Sequence, residues 1–135
     1  MARVKARQLE PQRALGFHGA IAAVAETDIP AGSIVVISGF LRAGFTVRPA
    51  SNSSIRLSSG LLLVTRNPVT AGNPIHCYTH QVIPSEESKK DGEPVWLGRE
   101  GKWTFNKPKA RPVQIGKVMS SEMGVNILLA PQGRY

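Results

Sequence analysis

The chain has 135 residues, 17 Lys and Arg against 9 Asp and Glu, 41% hydrophobic residues and one cysteine. These figures suit a single domain with a modest core. They exclude wholesale disorder, an apolar run of the roughly 18 residues a membrane span needs, a disulfide scaffold and a multi-cysteine zinc site. The formal charge of +8 resides in two short stretches. Residues 1–18 hold Arg3, Lys5, Arg7 and Arg13 against Glu10. Residues 99–117 hold Arg99, Lys102, Lys107, Lys109, Arg111 and Lys117 against Glu100. Basic segments of this kind either meet a negative partner or form a solvated face.

In chain order, residues 1–18 read as a basic N-terminal arm and 19–135 as a single β domain. The arm has charge at its start with no apolar segment behind it, so no secretory signal is expected. The Ala-rich piece 19–26 is readable as a short helix or as a first strand. Apolar, β-branched runs at 33–38, 60–65, 74–82, 94–97, 112–119 and 125–130 predict strands, punctuated by glycine and proline. The serine-rich stretch 49–59 predicts an exposed loop. No window carries a convincing helical stripe. Short strands between turn residues imply an all-β fold, a small barrel or sandwich.

One local pattern recurs. Ile29-Pro30-Ala31-Gly32-Ser33-Ile34-Val35 matches Val69-Thr70-Ala71-Gly72-Asn73-Pro74-Ile75, and Asp91-Gly92-Glu93-Pro94-Val95-Trp96-Leu97 is a looser copy. Each predicts a tight turn, its glycine at positive φ, feeding a strand. Pro74 and Pro94 then fall at first strand positions, where a missing N–H is tolerated.

The candidate reactive side chains are few and scattered. His76 and His80 on one strand would lie about 13 Å apart, too far to ligate one metal ion. Cys77 faces away from both and reads as a buried structural thiol. Glu86 and Glu87 sit in a polar, turn-like segment, and Glu26 and Asp28 flank a turn. His18 has no inferable partner. No nucleophile elbow, phosphate loop or dinucleotide fingerprint is present. The expectation is a non-enzyme with no catalytic residues, no metal and no cofactor.

Trp96, Trp103 and Phe105 interleave with Arg99, Lys102 and Lys107. Aromatics among cations are what single-strand binders use. The plainer reading makes Trp96 core and has Trp103 and Phe105 covering a sheet edge or meeting a partner subunit. Alternation places Trp103 and Phe105 on one face of an extended segment.

Two stretches carry a family resemblance. Residues 25–37, Ala-Glu-Thr-Asp-Ile-Pro-Ala-Gly-Ser-Ile-Val-Val-Ile, look like the opening strand pair of tailed-phage head decoration (capsid cement) proteins. Pro112-Val113-Gln114-Ile115-Gly116-Lys117-Val118-Met119, with Gly124-Val125-Asn126-Ile127-Leu128-Leu129-Ala130-Pro131, resembles that family's closing hairpin. With the Gly-x-Pro-Val unit at 92–95 the resemblance spans roughly 20–131. The Asp28-Ile29-Pro30-Ala31-Gly32 turn is also similar to that of SAF-type β-clip domains. The resemblance implies a small β-barrel or β-tulip, β-clip-like, with an extended N-terminal arm. It implies a virion location on the capsid surface after assembly in the host cytoplasm. The partners implied are the major capsid protein and sister copies in a homotrimer, with no membrane and no nucleic acid.

The residues expected to act follow from that. Arg3, Val4, Lys5, Arg7, Leu9, Arg13, Leu15 and Phe17 would form the capsid-binding arm, which at 3.3–3.6 Å per residue would reach about 60 Å. Trp103, Phe105, Lys107, Lys109 and Arg111 would contact a subunit or the capsid. The alternatives are a nucleic-acid-binding β-barrel using 96–111, or a small-molecule enzyme on a β-clip fold, which would need a polar cleft gathering His76, His80 or Glu122.

Overall fold

The structure, a computed structural model, describes residues 20–41, 44–85, 87, 89–121 and 124–133. Among the described residues ten strands and one helical turn follow one another. They are β1 (Ala20–Ala25), β2 (Ile34–Leu41), β3 (Gly44–Pro49), α1 (Ile55–Ser58), β4 (Leu62–Thr65) and β5 (Pro74–Tyr78), then β6 (Gln81–Ser85), β7 (Pro94–Leu97), β8 (Trp103–Thr104), β9 (Gln114–Ser121) and β10 (Gly124–Leu129). The first five strands close a barrel in the order β1-β3-β2-β4-β5. The other five form an open sheet in the order β6-β10-β9-β7-β8. The all-β expectation holds, with a second sheet beside the barrel.

Two buried clusters account for the arrangement. Ala23, Ala25, Val35, Val47, Leu63 and Cys77 fill the barrel. Small residues on β1 suit the narrow interior of a five-stranded closure. On the opposite face of the same strands, Ile34, Val36, Leu62 and Val64 pack against Val95, Leu97, Ile115, Val118, Ile127 and Leu129 of the second sheet. Strands β2 and β4 are therefore buried on both faces. That is why 33–38 and 60–65 read as continuous apolar runs rather than alternating ones.

The recurring turn is built as predicted. Gly32, Gly72 and Gly92 have φ of 74°, 85° and 86°, and Pro74 and Pro94 open β5 and β7. The first two copies also bond to each other, Ile29 and Val69 each donating an N–H to the other's carbonyl at 2.9 Å.

One open reading is settled and two expectations are corrected. Of the stretch readable as helix or strand, Ala20–Ala25 is strand, β1 pairing antiparallel with β5 and parallel with β3. The predicted strand 74–82 divides at Thr79 and His80 into β5 of the barrel and β6 of the second sheet. The chain bends there because its two halves serve different cores. The stretch 49–59 is not simply an exposed loop: Ala50, Ser51 and Ser58 are buried. Ser54 caps α1, its Oγ accepting from the Leu57 N–H at 3.1 Å. The serines satisfy backbone groups in a packed connection.

Candidate functional site

The arm residues Arg3, Val4, Lys5, Arg7, Leu9, Arg13, Leu15 and Phe17 lie outside the described residues. The chain enters the described fold at Ala20, which pairs with Tyr78 at the end of β5.

The basic-aromatic segment is fully described, and its aromatics divide between two faces. Leu97 pairs with Trp103 and Trp96 with Thr104 across β7 and β8. Directly paired residues share a face, so Trp103 lies on the buried side with Leu97 and Trp96 on the opposite side. Trp103 and Phe105 meet edge to face, ring centroids 5.2 Å apart at 73°, and both pack against the second core. The Lys89 Nζ sits 4.7 Å from the Phe105 ring centroid and the Lys107 Nζ 5.2 Å from that of Trp96. A ring capped by its own chain's ammonium has that face occupied, which disfavours base stacking there.

Lys107 and Lys109 are exposed. Arg111 is committed to its own chain: Nε donates to the Asn52 carbonyl at 3.0 Å and a terminal guanidinium nitrogen to that of Ser53 at 2.9 Å. The fork of Arg111 thus ties the basic segment to the connection before α1. Its partners lie 59 and 58 residues away in sequence, so no local pattern could have revealed them.

His76 is exposed on β5 while Cys77 is fully buried, the alternation expected of a strand. Burial pushes the Cys77 thiol up from 9.0 to about 11. Among the described residues no group of three His, Cys, Asp or Glu side chains could hold a metal ion.

A feature missed in the sequence lies at one end of the barrel. A cavity of about 760 Å³ opens where the 26–33 turn, the end of β3, the connection before α1 and the β7–β8 turn meet. Arg48, Arg99 and Lys102 line it together with Asp28 and Glu100. The outermost of these residues lie 74 positions apart in the chain, so only folding gathers them. The one available signal was the density of cations at 99–102.

No family model matches the chain, and no curated protein sequence matches it. Among solved structures it is similar to the head fiber gp8.5 N base of bacteriophage phi29, at 14% sequence identity and a TM-score of 0.50, covering 86% of this chain and 97% of that one. At that identity the likeness is one of fold: the barrel with its companion sheet is an architecture that the phi29 head fiber base shares.

Proposed function

We propose that this chain is a structural protein of a tailed-phage head, one that binds the outer surface of the assembled shell and stabilises it. The observation that carries the reading is the likeness in fold to the phi29 head fiber base over nearly the whole of that chain. The turn-and-strand resemblance to head decoration proteins across 20–131 supports it independently. In this reading the basic residues of 1–18 face an acidic shell surface, with Val4, Leu9, Leu15 and Phe17 as apolar anchors. Ordering such an arm costs about 1–2 kcal/mol per residue in backbone entropy, so one arm grips weakly. Three copies assembled as a trimer present three arms, and each bound arm raises the effective concentration of the next. A protein that binds only the assembled shell opposes its rupture by linkage.

The experiment uses heads of the encoding phage that lack this protein. Adding the full chain should give saturable co-sedimentation and raise the temperature at which the heads release DNA. Deleting residues 1–18 should weaken docking at least about ten-fold, about 1.4 kcal/mol. Full docking by the truncated chain would remove the arm mechanism. Absence of any saturable binding by the full chain would remove the capsid reading.

A further inference from the structure

We propose that the cleft between the barrel end and the β7–β8 turn is a binding site for an acidic peptide segment of a partner protein. The inference goes beyond the capsid reading and uses none of the arm residues.

The first support is unspent positive charge. Arg48, Arg99 and Lys102 line the cleft from two parts of the fold, and none has an ion-pair partner among the described residues. Arg111, whose guanidinium is engaged by the Asn52 and Ser53 carbonyls, is not one of the lining residues. Of the two carboxylates present, Asp28 already accepts the Ala71 N–H at 2.8 Å. Both carboxylates keep their charge, so the described lining sets three cations against two anions, a net charge of +1. A carboxylate-bearing ligand therefore meets a small net positive charge, from side chains that form no ion pair among the described residues.

The second support is rigidity. The Gly101 N–H donates to the Ala50 carbonyl at 2.6 Å, and the Gly101 carbonyl accepts from Ile34 at 2.8 Å. The Asn52 N–H donates to the Gly98 carbonyl at 2.9 Å. These bonds fasten the turn that carries Arg99 and Lys102 to the strand end that carries Arg48. The backbone that carries the cations is fixed before a ligand arrives, which lowers the entropic cost of binding.

The walls select the class of ligand. Pro30, Pro49 and Leu57 supply apolar surface and Ser53 a hydroxyl, which suits an extended peptide with mixed side chains. Among the described residues no aromatic lines the cleft, so they offer bases no stacking platform. Glu100 repels anionic groups of either kind but can accept a peptide N–H. A single exposed ion pair contributes little, so the ligand must offer at least two carboxylates.

The test is fluorescence anisotropy with the full chain, a labelled Glu-rich decapeptide and a labelled thymidine decanucleotide at physiological salt. Backbone-amide shifts map where each probe binds. The decapeptide should perturb residues 48–53 and 98–102. The triple variant Arg48→Ala, Arg99→Ala, Lys102→Ala should bind it at least about ten-fold more weakly. Lys107→Ala with Lys109→Ala, which removes two cations outside the cleft, should change affinity less than about two-fold. Glu100→Gln should tighten binding, a gain that misfolding cannot produce. Equal losses in the two cation variants, shifts away from the cleft, or displacement of the peptide by the nucleotide strand would overturn the proposal. Because the arm is intact in every variant, failure here is distinguishable from failure of head docking.

Discussion

At Cys77 the barrel interior turns a reactive side-chain type into an inert one. The thiol is fully buried, and desolvation of the thiolate pushes its pKa up to about 11. Folding therefore favours the protonated thiol. The resulting stability is whole below 9.0, the value of an unperturbed thiol, and is lost as the pH rises through about 11. Two outcomes are expected. A thiol reagent at about pH 8 should leave the native protein unmodified and label it on unfolding. Urea titrations should show a steeper alkaline fall in stability for the wild type than for Cys77→Ala, which lacks this proton. Rapid labelling of the native protein would contradict the burial. Alternation along β5 made this thiol legible in the sequence. The commitment of Arg111 to the Asn52 and Ser53 carbonyls was not legible, because it joins segments that only the folded chain brings together.

At the scale of elements, the closing hairpin shows how much a strand pattern conveys and where it stops. The expected ranges 112–119 and 125–130 correspond to β9 and β10, paired antiparallel from Gly124 with Ser121 to Leu129 with Gly116. The sequence does not show why position 116 must be glycine. Its φ is not in the left-handed region, yet a Cβ there would lie 2.1 Å from the Leu128 carbonyl oxygen. Backbone cannot yield as a flexible side chain does, so Gly116→Ala should cost about 2–3 kcal/mol in overpacking. Gly72→Ala, with φ of 85° but open space around it, should cost only the left-handed backbone penalty of about 1–2 kcal/mol. Urea denaturation gives the ranking, and a cheaper substitution at 116 than at 72 would refute this account of the hairpin. The division of 74–82 marks the corresponding failure of sequence reading. Residues Thr79 and His80 carry no glycine or proline to signal a break. The bend arises because β5 pairs with β1 and β4 while β6 pairs with β10.

Across the whole molecule, barrel and sheet are coupled through β2 and β4. Val35 and Leu63 face one core, while Ile34, Val36, Leu62 and Val64 face the other. Removing the second sheet would strip one face from strands that the barrel needs, so the two should unfold together. Both tryptophans belong to the second sheet, Trp96 on β7 and Trp103 on β8, and their fluorescence reports that sheet alone. Val47→Ala, which removes packing inside the barrel, should lower the tryptophan transition by about 2 kcal/mol. Ile127→Ala, in the other core, should lower the same single transition. A tryptophan transition untouched by Val47→Ala would show that the two parts unfold separately.

The amino-acid sequence by itself determined the kind of local structure: strands where β-branched residues cluster, turns where Gly32, Gly72 and Gly92 permit positive φ, alternation about Cys77, and charge gathered at two places. These are short-range properties, fixed by side-chain shape and by neighbours a few positions away. Only the tertiary structure decided the pairing order, the closure of five strands into a barrel, the two-faced burial of β2 and β4 and the gathering of Arg48, Arg99 and Lys102 around one cleft. The physical reason is that strand partners and cleft walls are selected by the apolar surface buried between distant segments. That quantity belongs to the assembled chain and to no single window of it.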